Sequence, residues 1–192
     1  MSVPADQPLF AFAGHRLLAR GPAAEVVAAV KVATDGGDTV LTFDAATGRV
    51  VDLDLRGDRA AALARLTPTP EAKKRGPGRP KLGVAAREVT LLPRHWDWLS
   101  AQPGGASVAL RKLVESALRE AEGPDRARRA KEATYRFMTA IAGDLPGYEE
   151  ATRMLFAGDW TAFDAATEAW PEGVRETARG MAAAAWRNGA LA

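Results

Sequence analysis

The chain has 192 residues, 47% of them apolar, and 26 Lys/Arg against 24 Asp/Glu give a formal charge of +2. That is enough chain for one medium domain or two small ones. With no cysteine, and with His15 and His95 as the two histidines, disulfides, thiol chemistry and cysteine- or histidine-rich metal centres are excluded.

Residues 1–8 show no basic leader followed by an apolar run. No apolar stretch approaches the roughly 18 residues of a membrane span, so the sequence reads as a cytosolic protein. Residues 10–20 alternate loosely and predict a first strand. Gly21-Pro22 then opens a helix with Val26, Val27, Val30 and Ala33 on one face, broken at Asp35-Gly36-Gly37-Asp38. Residues 39–43 and 50–55 predict two more strands joined by a turn over 44–48. A short helix over 59–66 completes a small α+β domain, residues 1–66, in the order β-α-β-β-α.

Thr67-Pro68-Thr69-Pro70 stops helix and sheet pairing alike and starts a Pro/Gly-rich basic linker, residues 67–86. A short strand over 87–92 runs into Pro93, which suits the first position of a helix over 94–102. After the turn Pro103-Gly104-Gly105, Ser107 is placed to cap a helix over 108–122, whose Leu110, Leu113, Val114, Ala117 and Leu118 form an apolar stripe. Residues 87–122 therefore read as strand-helix-helix. Gly123-Pro124 marks a break, and residues 123–192 read as helical throughout. Ala130, Ala133, Phe137, Met138 and Ile141 share one face; Tyr148, Ala151 and Leu155 a second. Asp159 caps a helix bearing Phe163, Ala166 and Trp170, and Pro171 starts a last one with Val174, Ala178, Met181 and Ala185 in phase.

The small net charge conceals a polarised distribution. Residues 1–70 carry seven Lys/Arg and eight Asp/Glu, residues 71–131 fourteen and seven, and residues 132–192 five and nine. A basic middle between acidic flanks is the footprint of a protein that meets a polyanion. The densest part is Lys73-Lys74-Arg75-Gly76-Pro77-Gly78-Arg79-Pro80-Lys81, five cations in nine residues with no apolar side chain. Such a segment cannot bury a core and displays its charges. The narrow minor groove of an A·T tract is strongly negative and attracts inserted arginine. Gly78-Arg79-Pro80 is flat enough to enter it, while Lys73, Lys74 and Lys81 reach flanking phosphates.

This segment resembles an AT-hook, although Pro77 stands where that family places the first arginine of its Arg-Gly-Arg-Pro core. The strand-helix-helix order, with Pro93 at a helix start and Gly105-Ala106-Ser107-Val108 at the next, resembles the ribbon-helix-helix fold. That resemblance implies a homodimer with paired strands over DNA and a second helix, begun near Ser107, aimed at a phosphate. One register of residues 87–92 turns Arg87, Val89 and Leu91 to DNA; the other turns Glu88 and Thr90. A helix-turn-helix with residues 107–122 as recognition helix is the nearest structural rival. From Phe10-Ala11-Phe12-Ala13-Gly14-His15 through Arg94-His95-Trp96-Asp97-Trp98-Leu99, the whole chain resembles a bacterial family of unknown function.

Other candidates carry plainer readings. Trp96 and Trp98 with His95 could stack on bases, but tryptophans on a short helix are more often core anchors. Asp52 and Asp54 share a strand face that could hold a divalent ion, yet the alternation is that of a half-exposed hairpin. Arg126, Arg128, Arg129 and Lys131 form a second basic cluster at the predicted helix start, where the helix dipole disfavours cations. No P-loop, nucleophile elbow or metal-ligand spacing occurs, so the expectation is a non-enzymatic protein with no cofactor, metal or small-molecule substrate. The sequence thus points to an A·T-preferring bacterial DNA-binding homodimer in the cytoplasm, nucleoid-associated or regulatory. The alternative is a protein-interaction adaptor whose basic linker binds an acidic partner.

Overall fold

The structure is a computed structural model that describes residues 3–66, 85 and 87–186. Two compact units are present. Met1–Pro70 and Pro124–Ala192 form one, and Glu71–Gly123 the other.

The first unit starts with strands β1 (Pro8–Ala13) and β2 (Arg16–Pro22), then helix α1 (Ala23–Asp35), strand β3 (Val40–Asp44) and helix α2 (Arg59–Ala64). The sheet is antiparallel with order β2-β1-β3. Leu9 pairs with Gly21 and Asp44, and Phe10 with Arg20 and Phe43. A bulge between Ala11 and Phe12 shifts the β1–β2 register. The sequence predicts one strand over 10–20; the structure folds it into a hairpin at Gly14-His15. Gly14 adopts φ +54° there, a left-handed conformation open to glycine at no steric cost.

A second correction concerns residues 50–55. They form no strand beyond an isolated bridge from Val50 to Phe43, although the Val51 amide bonds the Thr42 carbonyl at 2.7 Å. Their alternation persists because Val51, Leu53 and Leu55 pack on the core while Asp52 and Asp54 face water. One-sided burial produces the same period of two as a ladder, so the pattern cannot tell them apart. The N-terminal order is accordingly β-β-α-β-α, still α+β.

Alternation along β1 puts Leu9 and Ala11 on one sheet face and Phe10 and Phe12 on the other. On the first, Leu9 and Ala11 pack with Val3 and with Ala23, Val26 and Val30 of α1. On the second, Phe12 and Phe43 meet the C-terminal helices. These are the later turns of α4 (Gly105–Ile141), then α5 (Tyr148–Ala157), α6 (Trp160–Ala166) and α7 (Glu172–Trp186). Their buried residues are those of the sequence periodicity: Phe137 and Met138, Ala151 and Leu155, Phe163, then Val174, Ala178 and Met181. Asp159 caps α6 by accepting from the Ala162 amide at 3.0 Å. The Trp170 indole donates to the Pro146 carbonyl at 2.8 Å, so its burial leaves no orphan donor.

The 44–48 turn ties sheet to helix. Asp44 accepts from the Thr47 hydroxyl and amide, each at 2.6 Å, and from the Gln7 amide at 2.6 Å. Burial pushes its carboxyl up, but these bonds outweigh that and hold it below its usual range. Arg136 of α4 donates to the Thr47 carbonyl at 3.0 Å. Gly48, at φ +66°, lies so close to α4 that a Cβ there would overlap the Ala133 carbonyl.

In α4 the chain departs again from the sequence-based expectation. Pro124 lies inside the helix rather than ending it, although the division between the units falls at Gly123/Pro124. Proline removes one backbone bond and crowds the preceding turn, and the 37-residue helix tolerates that loss.

Gly48→Ala should destabilise the protein by at least about 2 kcal/mol, combining left-handed strain with a backbone clash. Urea denaturation read by circular dichroism checks this. An unchanged midpoint would mean that the turn is not seated on α4 as described.

Candidate functional site

The second unit carries most of the positions that the sequence nominates. Of these, Lys73, Lys74, Arg75, Gly78, Arg79, Pro80 and Lys81 lie outside the described residues, while Arg87 and Ser107 are described and exposed. Residues 87–92 form no strand. A strand needs a paired ladder, and no neighbour supplies one among the described residues of a single chain.

Helix α3 (Pro93–Ser100) begins at its proline, as expected. It buries Leu99, at 3% exposure, whereas Trp96 and Trp98 stand 39% and 53% exposed. The expectation that both tryptophans anchor a core is therefore corrected. An eight-residue helix with one inward side chain leaves its other faces to solvent. Helix α4 begins at Gly105, two residues before the expected cap. Ser107 thus sits in the first turn, and its carbonyl accepts from the Arg111 guanidinium at 3.2 Å. The Gly105 amide donates to the Gln102 carbonyl at 2.9 Å, which leaves the amides of residues 106–108 at the helix start, where N–H groups without an intrahelical partner and the dipole favour an anion.

In the first unit Arg16, Lys31, Arg56, Arg65, Arg128, Arg136, Arg153, Arg175 and Arg179 pair with carboxylates, Arg20 and Lys131 donate to neutral oxygens, and Arg49, Arg59 and Arg129 form no ion pair with another described residue. In the second, Arg87, Arg94, Arg111, Lys112 and Arg119 form no ion pair with another described residue.

The cluster at 126–131 does not sit at a helix start, because α4 runs continuously through it. The helix dipole therefore calls for no external anion there. Arg128 pairs with Asp125 at 3.1 Å and Glu132 at 3.4 Å, and Asp125 holds its guanidinium more firmly protonated. Lys131 donates to the Phe156 carbonyl at 3.0 Å. Asp54 is likewise engaged, with Arg56 at 2.6 Å and Arg65 at 3.5 Å. The Arg56 hydrogen bond leads in holding its carboxyl well below the usual range. No cluster of metal-ligating side chains occurs among the described residues.

No sequence signal marks a pocket of about 580 Å³ in the first unit, between β1, the end of β2, the 44–48 turn, α4 and α7. Arg20 is the one charged side chain among its described lining residues. The guanidinium lies 5.0 Å from the centre of the Phe10 ring and donates to the Thr177 hydroxyl at 3.2 Å. Its walls come from residues as distant as Pro8 and Ala184, a juxtaposition with no local sequence signal. Nor did the sequence announce the exposed apolar face of α3 and early α4, since an amphipathic stripe reads the same whether or not it is covered.

The fold is thus α+β, a three-stranded antiparallel sheet flanked by α1 on one face, with α2 against α1, and by later helices on the other. No helix among the described residues is long and apolar enough to cross a membrane. The chain belongs to the family described as an uncharacterized protein conserved in bacteria (DUF2239), which matches residues 8–182. No curated protein and no solved structure matches it.

Ser107→Asp provides a local test of the helix start as an anion site. A carboxylate in the first turn favours the helix but repels phosphate. The expected result is unchanged helical circular dichroism with several-fold weaker binding to duplex DNA. Equal binding would remove this turn from the interface.

Proposed function

We propose that this protein is a non-enzymatic, homodimeric DNA-binding protein that prefers A·T-rich duplex. Arg79, flanked by Gly78 and Pro80, enters the minor groove. Lys73, Lys74, Arg75 and Lys81 contact phosphates along it, with Arg87 and the α4 start at Ser107 adding contacts outside the groove. The observation that carries this reading is the charge distribution: twenty-one charged residues in 71–131 balance to an excess of seven cations, between flanks that carry an acidic excess. The cations of 87–119 that are not committed to carboxylates among the described residues support it.

The alanine- and arginine-rich composition suggests a G·C-rich genome, in which A·T tracts are uncommon. A dimer with two basic segments gains effective concentration by engaging two tracts together, which suits a nucleoid-associated or regulatory role in the cytoplasm. The exposed Trp96 and Trp98 favour a second reading, an adaptor whose basic linker binds an acidic protein.

Titration of duplex DNA at several salt concentrations separates these readings. With about five phosphate contacts, log K should fall against log salt with a slope of roughly −4 to −5. A·T duplex should bind more tightly than G·C, because the guanine amino group obstructs the minor-groove floor. Arg79→Ala should cost about 1–3 kcal/mol on A·T duplex and remove the preference. No binding to any duplex at low salt overturns the DNA reading. Equal loss on both duplexes reduces Arg79 to a phosphate contact.

A further inference from the structure

The described part of the second unit has almost no core. Among its described residues, Leu99 and Ala109 are the buried apolar side chains. Seven large ones are exposed: Val89, Leu92, Trp96, Trp98, Leu113, Val114 and Leu118, from 39% to 64%. On α4 the exposed ones are not scattered. Leu113, Val114, Ala117 and Leu118 follow the 3–4 spacing of one helix face, continued at either end by half-buried Leu110 and Ala121. A contiguous apolar face of this kind marks an interaction surface.

We propose that residues 110–122 of α4 pair antiparallel with the same residues of a second copy of this chain. The proposal rests on the homodimer in the reading above and specifies its contact surface. Charge order selects the partner and the direction. The stretch opens with Arg111 and Lys112 and closes with Glu120 and Glu122, with Glu115 and Arg119 between them. A parallel pair would set like charges side by side; an antiparallel pair sets the basic end of each helix against the acidic end of the other and opposes their dipoles. On the helical wheel, Arg111 and Glu122 border the apolar face on the same edge, the geometry that brings them together across a two-fold axis. Such an interface is self-complementary, as a two-fold dimer requires.

The register that follows packs Val114 on Ala117 of the second copy and Leu110 on its Ala121. It also brings Leu118 of the second copy towards the groove between α3 and α4. That groove, about 210 Å³, is lined by Trp98, Gln102, Pro103, Ala109, Lys112 and Leu113, which suits an aliphatic side chain.

Light scattering and sedimentation of the full chain without DNA test this. The native protein should be a dimer at micromolar concentration. Leu118→Asp should raise the dimer dissociation constant at least about tenfold, because it places a carboxylate in an apolar contact, and Val114→Asp should do the same. Circular dichroism with an unchanged thermal midpoint for the main transition confirms that these variants fold. Arg111→Glu and Glu122→Arg should each weaken the dimer, and the two together should restore it. A monomeric native chain overturns the pairing, as does a dimer indifferent to Leu118→Asp and to the charge exchange. If a monomer still binds A·T duplex with steep salt dependence, the pairing fails and the DNA reading stands. A dimer that ignores DNA gives the converse.

Discussion

The contact on which the fold depends is the meeting of Phe12, Phe43 and Phe137. Their ring centres lie 5.1 to 6.1 Å apart in tilted and edge-on arrangements, and all three are fully buried. Phe12 and Phe43 come from the sheet and Phe137 from α4, so one cluster joins the N-terminal strands to the C-terminal helices. Truncating any of these rings would cost about 3–5 kcal/mol, a large part of the stability of an ordinary domain. Neither end of the chain completes its core alone. The segment 71–123 is consequently an insertion between two halves of one core.

That arrangement separates stability from candidate function. The shared core is held by apolar burial and by cations tied locally to carboxylates, such as Arg179 with Asp164 at 2.6 Å and Glu168 at 2.9 Å. The insertion carries the basic run and a two-helix element that buries little. A stretch with few buried apolar side chains contributes little to cooperative stability, so its sequence is free to serve a partner. The proposed DNA contacts and the proposed α4 pairing both draw on this freedom. One uses its cations, the other the apolar face that is exposed among its described residues.

Much of the core was legible in the sequence. Val26, Val27 and Val30, and the later sets ending with Val174, Ala178 and Met181, are buried where the helical period puts them, because packing on one side imposes that period directly. The Asp159 cap and the Pro93 helix start were legible because their chemistry is local. What misled were features whose meaning lies in distant residues. Residues 50–55 alternate without a ladder because one face alone is covered. Pro124 is tolerated within a long helix despite its missing amide. Trp96 and Trp98 are exposed because α3 turns Leu99 inward instead. Of the candidate site, the basic run was visible as composition, whereas the apolar face became a surface only when burial was known.

Both ends of the chain make one core, and residues 71–123 are proposed to carry the interaction chemistry. The most direct measurement is thermal unfolding of a variant in which residues 71–123 are replaced by a short Gly/Ser linker, with binding to A·T duplex recorded on the same sample. One cooperative transition near that of the full chain is expected, together with loss of duplex binding. An unfolded variant, or one that binds duplex as the full chain does, would contradict it.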